Sequence, residues 1–206
     1  MGKIKDAQWA QLLVIYTRYL LGGTFVFASL IKIKGDRFTS ESGADNPIDS
    51  AWHFFETLYQ SGLYWQFIGM GQLIAGFLLM TQRYAKLGAV VFFPIILNIF
   101  VITLSYYFAY TPVVTGLLLL ANLLLLLWDW DQLKVLLNLQ PGPLKMTAME
   151  TDGVWALVGL ALFAFTFGYR LLVERYDIFL WFGTCLVIGI IGCAIGLYRQ
   201  TRRNHV

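Results

Sequence analysis

Arg18 is the residue with the most chemistry to offer. It stands roughly nine residues, about 13 Å, into an apolar stretch that starts near Trp9. A charged side chain at that depth costs roughly 2.5–3.5 kcal/mol on insertion scales, so it needs a partner or a purpose. A guanidinium offers five donors and no acceptor, which suits an anion, a lipid headgroup, a carbonyl-bearing ligand or a carboxylate. Asp129, at the end of a later apolar run, is the nearest carboxylate that could serve. Arg18, Gly22, Phe25, Ser29 and Lys32 recur at i, i+4, i+7, i+11 and i+14, which is one face of a helix. Lys32 closes that face at the far end, where it either snorkels to the interface or joins a ligand site.

Three further apolar runs carry polar stripes. Gly69, Gln72 and Gly76 share a helical face, and Thr115, Asn122 and Asp129 are spaced by sevens. Asn98 and Ser105 lie a heptad apart, with Pro94 one turn before Asn98 as a kink. Such residues either hydrogen-bond neighbouring helices or hold a ligand. As a ligand set, Arg18, Lys32, Gln72, Asn98 and Asn122 offer donors for the carbonyls of a quinone or the head of a lipid. They bring no redox centre, so no intrinsic cofactor is implied and electrons would have to come from a partner protein.

Other chemistries are poorly served. His53 and His205 lie outside the apolar runs. Cys185 and Cys193 are about 12 Å apart on a helix, too far for a disulfide, and no metal-ligand spacing accompanies them. The membrane core holds no base to activate a nucleophile, which argues against an autonomous enzyme. Lys32, Asp49 and Glu56 lie close to one face and leave a site there open.

These residues have to be positioned by membrane helices. Of the 206 residues 58% are hydrophobic and only 13% charged, where a soluble domain carries about 25%. That excludes an ordinary globular domain, a disordered chain and a nucleic-acid reader. Uncharged runs extend from Thr57 to Gln82, Leu87 to Trp128 and Ile178 to Tyr198. Six spans of roughly 20 residues fit, at about 9–32, 62–82, 86–108, 112–129, 153–172 and 178–198. The turn at Thr111-Pro112 divides the longest run into a hairpin. The first span has no short leader core and no A-x-A site after it, so it reads as an uncleaved anchor.

An even number of spans puts both termini on one side. Lys3, Lys5, Arg83, Lys86, Lys134, Lys145, Arg199, Arg202 and Arg203 fall there, against Lys32, Lys34, Arg37, Arg170 and Arg175 opposite. Nine against five places both termini inside. In the outer loop 33–61, Lys34 to Gly43 reads as mobile. Asn46-Pro47 then opens an amphipathic helix, about 47–61, whose Trp52, His53 and Glu56 would cap the outer mouth as a lid. On the inner side Pro141-Gly142-Pro143 breaks the chain before the fifth span. Four striped spans imply a four-helix core over 1–137, and 138–206 forms a C-terminal hairpin with a basic tail. Gly192 and Gly196 form a small face for close helix packing, or more sharply for a homodimer.

The first span, Arg18-Tyr-Leu-Leu-Gly22-Gly-Thr-Phe25-Val-Phe-Ala-Ser29-Leu-Ile-Lys32, resembles the opening of DoxX-family membrane proteins. The second, Gly69-Met-Gly-Gln72-Leu-Ile-Ala-Gly76 with a basic turn at Arg83, is similar to the family's second span. The likeness covers about 10–137. It implies an all-α fold, a four-helix transmembrane bundle, here with two extra C-terminal helices, in a bacterial inner membrane. It also implies a non-catalytic subunit of a membrane oxidoreductase, or a protein holding a quinone or lipid, with a membrane or peripheral protein as partner. The chain departs from the family at Gln72, where many members carry a glutamate. A structural or chaperone-like assembly factor is the alternative. A small-solute transporter ranks last, because no inverted repeat and no intramembrane carboxylate for coupling is visible.

Overall fold

The computed structural model describes residues 2–142, 147, 149–175 and 177–203. Pro143, Lys145 and His205 lie outside them. Among the described residues every regular element is a helix. In chain order these are α1 (Gly2–Lys5), α2 (Gln8–Ile33), α3 (Ala51–Gln60), α4 (Leu63–Met80), α5 (Ala85–Ser105), α6 (Thr111–Trp128), α7 (Trp130–Leu133), α8 (Gly153–Leu172) and α9 (Ile178–Arg203), with a 3-10 turn at Lys134–Leu137. Six of them, α2, α4, α5, α6, α8 and α9, are long and apolar enough to cross a membrane. The chain is therefore built as an all-α membrane protein.

Helix α2 is the axis of the fold. It packs along α4 and touches α6, while α4 meets α5 and α5 meets α6, closing a ring of four. Glycine makes the tightest of these contacts possible. A Cβ on Gly22 would stand 2.8 Å from the Gly76 carbonyl oxygen, and one on Gly76 would stand 2.7 Å from that of Gly22. Backbone thus meets backbone where α2 and α4 cross. The ring interior is filled by Val14, Leu21, Phe25, Leu79, Phe92 and Ile96, among others, with Phe25 and Phe92 stacked at 3.6 Å between centroids.

Helix α8 docks on the outside of α2 and α4, and α9 rests on α8. Trp155 of α8 and Met149 just before it are almost wholly buried, in a second apolar cluster with Ile15, Tyr19, Val26 and Met80. The small face of α9 is used here. A Cβ on Gly192 would press on Val158 and one on Gly196 on Trp155. The Gly192/Gly196 face therefore packs against α8 of the same chain, which leaves it no room for a second copy.

Two expectations about the loop after α2 need correction. The surface helix starts at Ala51, not at Pro47, because Ser50 Oγ accepts the His53 amide at 3.2 Å and caps it there. Pro47 to Ser50 forms a turn instead. The segment Lys34–Gly43 is also tied down: Arg37 and the Gly43 amide both reach Glu56 of α3.

Candidate functional site

Arg18 is 1% exposed, and its guanidinium makes three hydrogen bonds within the chain. Nη2 donates to Asp129 Oδ2 at 3.0 Å and to Glu150 Oε1 at 3.1 Å, and Nη1 donates to Gln82 Oε1 at 3.2 Å. Each partner comes from a different connection. Gln82 lies in the turn between α4 and α5, Asp129 caps α6, and Glu150 precedes α8. One side chain thus fastens three loops at the end of the bundle where the N-terminus lies. Lys86 adds a second positive charge within electrostatic reach of both carboxylates, so the cluster is close to neutral. Burial pushes the Glu150 carboxyl up, but Arg18, the Thr147 amide and Lys86 together hold it below its ordinary value. An arginine buried against two carboxylates in this way acts as a staple, its charge already matched within the chain.

Glu150 was not among the sequence candidates, although a signal for it exists. Thr147 and Glu150 form a reciprocal capping pair: the Thr147 amide donates to Glu150 Oε2 at 3.2 Å, and the Glu150 amide donates to Thr147 Oγ1 at 3.4 Å. The T-x-x-E spacing was readable, but it sits after a Pro-Gly-Pro break and outside any span. Gln82 was missed for another reason: the sequence reading ends the second span on it, whereas α4 stops at Met80 and Gln82 turns off with φ of 59°.

The other sequence candidates are dispersed. Lys32 lies about 21 Å along α2 from Arg18, at the opposite end. It is 7% exposed, donates to the Ala28 carbonyl at 2.9 Å, and sits over the rings of Trp65 and Phe38 at 5.0 and 5.4 Å. Arg170 of α8 is nearby, donating from Nε to the Phe27 carbonyl at 3.3 Å with its guanidinium 4.5 Å from the Phe27 ring. Asn122 is fully buried and donates to the Ala89 carbonyl at 3.1 Å, which bonds α6 to α5. Gln72 is buried with its Oε1 unpartnered. Asn98 departs from the expected arrangement, since it and Ser105 are exposed on the outer surface of α5. The inward polar residue of α5 is Thr103, whose hydroxyl pairs with that of Thr115 at 2.9 Å. The stripes of α2, α4 and α6 face inward as read, and that of α5 does not.

The lid residues cohere at the Lys32 end. Glu56 takes both ends of the Arg37 fork, at 2.7 and 2.9 Å, and two further donors, from Gly43 and Gln60. The bidentate Arg37 fork, with help from the Gly43 amide, draws its pKa down to about 2. Trp52 meets Phe108 edge-on at 5.2 Å, and Phe54 stacks on Tyr106 at 4.5 Å. The aromatic side of α3 therefore covers the α5–α6 turn. His53 is half-buried, with Nδ1 unpartnered.

An open space of about 600 Å³ lies beside the lid, between Ser50 and Trp52 on one side and Tyr106 and Phe108 on the other, and a more apolar one lies across the bundle. A groove of about 320 Å³ runs between α2, α8 and α9. Ligand pockets are typically about 300–1,000 Å³. Its wall is mostly apolar, with Leu20, Leu162, Phe182 and Leu186, and it also includes Tyr16, Tyr19, Thr166, Trp181, Cys185 and Cys193. The Tyr16 hydroxyl donates to the Gly189 carbonyl at 2.6 Å and the Trp181 indole to Thr166 Oγ1 at 3.2 Å, so the rim is braced. Gly23 lines it and is buried, yet a Cβ there would meet nothing within 4 Å. No metal-binding group of three or more His, Cys, Asp or Glu occurs among the described residues.

Six membrane-length helices with α2 as their axis, an ion node at one end and a lateral groove define an integral membrane protein of polytopic helical type. A sequence relative narrows this. The chain is 32% identical over 132 residues, covering 62% of this chain and 82% of the relative, to the uncharacterized protein YwoB of Bacillus subtilis (strain 168). The chain belongs to the same family as YwoB. No family model matches it, and no solved structure matches it.

Proposed function

We propose that the chain is a DoxX-type membrane subunit or binding protein that holds a small amphipathic ligand, a quinone or a lipid, in the lateral groove between α2, α8 and α9. It would sit in a bacterial inner membrane with both termini in the cytoplasm and act beside a redox or other partner protein. The observation that carries the reading is the groove: an apolar slot beside the core, with hydroxyls and thiols on its wall and open space over Gly23. Quinone and lipid chains suit such a slot because apolar burial is its main attraction. The pairing of Arg18 with Asp129 and Glu150 favours a ligand placed away from that residue. The excess of basic residues at the end holding Lys5, Arg83 and Lys134 supports the cytoplasmic placement of the termini.

Gly23→Phe tests this. A Cβ at Gly23 meets nothing within 4 Å, the ring extends towards the groove that Gly23 lines, and the change replaces a helix-interior glycine, so the fold is expected to hold. Native mass spectrometry of protein gently extracted from its membrane is expected to show a quinone or lipid retained by the native chain and lost from the variant. The same adducts on both forms, or none on either, would sink the proposal and favour an assembly factor without a ligand of its own.

A further inference from the structure

The lipid-facing surface of α5 carries an amide with nothing to bond. Asn98 is exposed, and among the described residues its side chain has no hydrogen-bond partner. It lies seven residues, about 10 Å, from the Ser105 end of α5, too far for so short a side chain to reach the interface. A polar group left unpaired in hydrocarbon is costly, so this position calls for a partner outside the chain. A second polar group shares the helix: Pro94 has no N–H, which leaves the Val90 carbonyl without its helical donor.

The surroundings of Asn98 are arranged as a seam. Leu87, Pro94, Asn98, Val101 and Ser105 are all exposed and follow one another at intervals of seven, four, three and four. That is the spacing by which one helix lies along another, and a lone asparagine within such a seam sets its register. The neighbouring surface of α6 offers only Val113, Val114, Leu117, Leu120, Leu124 and Leu127, which lipid serves well. The small face of α9 is already occupied by α8.

We propose that α5 pairs with α5 of a second copy of this chain, about a two-fold axis along the membrane normal, with the two Asn98 side chains hydrogen-bonded to each other. The occupant follows from the chemistry. Two copies in one membrane share an orientation, so a two-fold axis along the normal brings Asn98 of each to the same depth. A carboxamide is both donor and acceptor, so it is complementary to itself. The pairing is independent of the ligand groove, which lies across the bundle on α2, α8 and α9.

The test is the oligomeric state of the full chain in liposomes, read by single-molecule photobleaching over a series of dilutions. The native chain is expected to be dimeric. Asn98→Leu is expected to weaken the dimer about ten-fold or more, as for two lost interhelical hydrogen bonds. Asn98→Gln keeps both donor and acceptor and is expected to retain it. In a background with Cys185 and Cys193 replaced by alanine, Val101→Cys is expected to cross-link between copies. Since Asn98 faces lipid, Asn98→Leu is expected to unfold at the native temperature when both proteins are diluted to monomers. A native chain that stays monomeric at the highest density overturns the proposal. So does an Asn98→Leu dimer of native strength, or a lower unfolding temperature of that variant with both proteins monomeric, which would show that Asn98 serves its own bundle. Gly23→Phe leaves the dimer unchanged, so failure here is distinguishable from failure of the ligand reading.

Discussion

Replacing Arg18 by glutamine removes three hydrogen bonds and, among the described residues, the only cation that touches Asp129 and Glu150. The side chains involved are 1%, 6% and 12% exposed, so water can replace little of what is lost. Deleting one partner of a buried pair costs roughly 3–5 kcal/mol, because the charge left behind is uncompensated. Here two carboxylates are left, with Lys86 as a distant counter-charge, and the expected loss is about 4 kcal/mol at neutral pH. The sign of the pH dependence follows. Without the guanidinium, burial raises the folded-state pKa of these carboxyls above the unfolded value, so the variant's deficit grows as pH rises. It shrinks on acidification by about 1.4 kcal/mol per pH unit for each proton taken up. Unfolding in mixed micelles, followed by tryptophan emission, measures both quantities; Trp155 is buried beside the node's neighbour α8. Arg18→Gln combined with Asp129→Asn is expected to recover part of the loss, since one orphaned charge is removed. A single variant within about 1 kcal/mol of native, or a deficit that widens in acid, would refute the assignment of Arg18 as a structural staple.

Two other perturbations follow from the geometry. Gly76→Val pushes a branched side chain into the Gly22 carbonyl and Val26, and is expected to cost about 2–3 kcal/mol by forcing α2 and α4 apart, measured by the same unfolding titration. For Glu56, the folded pKa of about 2 lies below the ordinary 4.5, so the docking of Lys34–Gly43 is fully present above pH 4.5 and lost as pH falls towards 2. A spin label at Ser40, in the cysteine-replaced background, should stay immobile at pH 5 and loosen near pH 2, whereas Glu56→Gln should loosen it at neutral pH. Equal mobility in both proteins at neutral pH would show that the Arg37 fork does not hold the loop.

The inward faces of α2, α4 and α6 were legible because their glycines and polar residues repeat at helical spacing on one side, and burial leaves such residues few alternatives. In α5 the same rule misled. Asn98 is more polar than Thr103 and so draws the eye, but threonine can bond its own helix, as Thr103 does to the Phe100 carbonyl, and hides inside an apolar pattern. Asp129 could be named as a partner for Arg18 from depth alone. Glu150 could not, because only the fold brings the segment after Pro141 back beneath α2. The start of α3 depended on two competing caps, Asn46 and Ser50, and spacing alone does not rank them. The groove was invisible for a different reason. It is space left where α9 leans on α8 instead of α2, and no residue type encodes a gap.

The order in which the chain is made gives the Arg18 node a further consequence. The ribosome delivers Arg18 long before its counter-ions: Asp129 follows it by 111 residues and Glu150 by 132. At roughly 5–20 residues per second, the first span waits on the order of ten seconds for a carboxylate. During that interval the nascent helix holds an unmatched charge that lipid alone does not welcome. The first span must therefore linger near headgroups or beside an insertion factor until α6 is complete. The closing of the node then fastens the α4–α5 turn, the end of α6 and the approach to α8 onto α2.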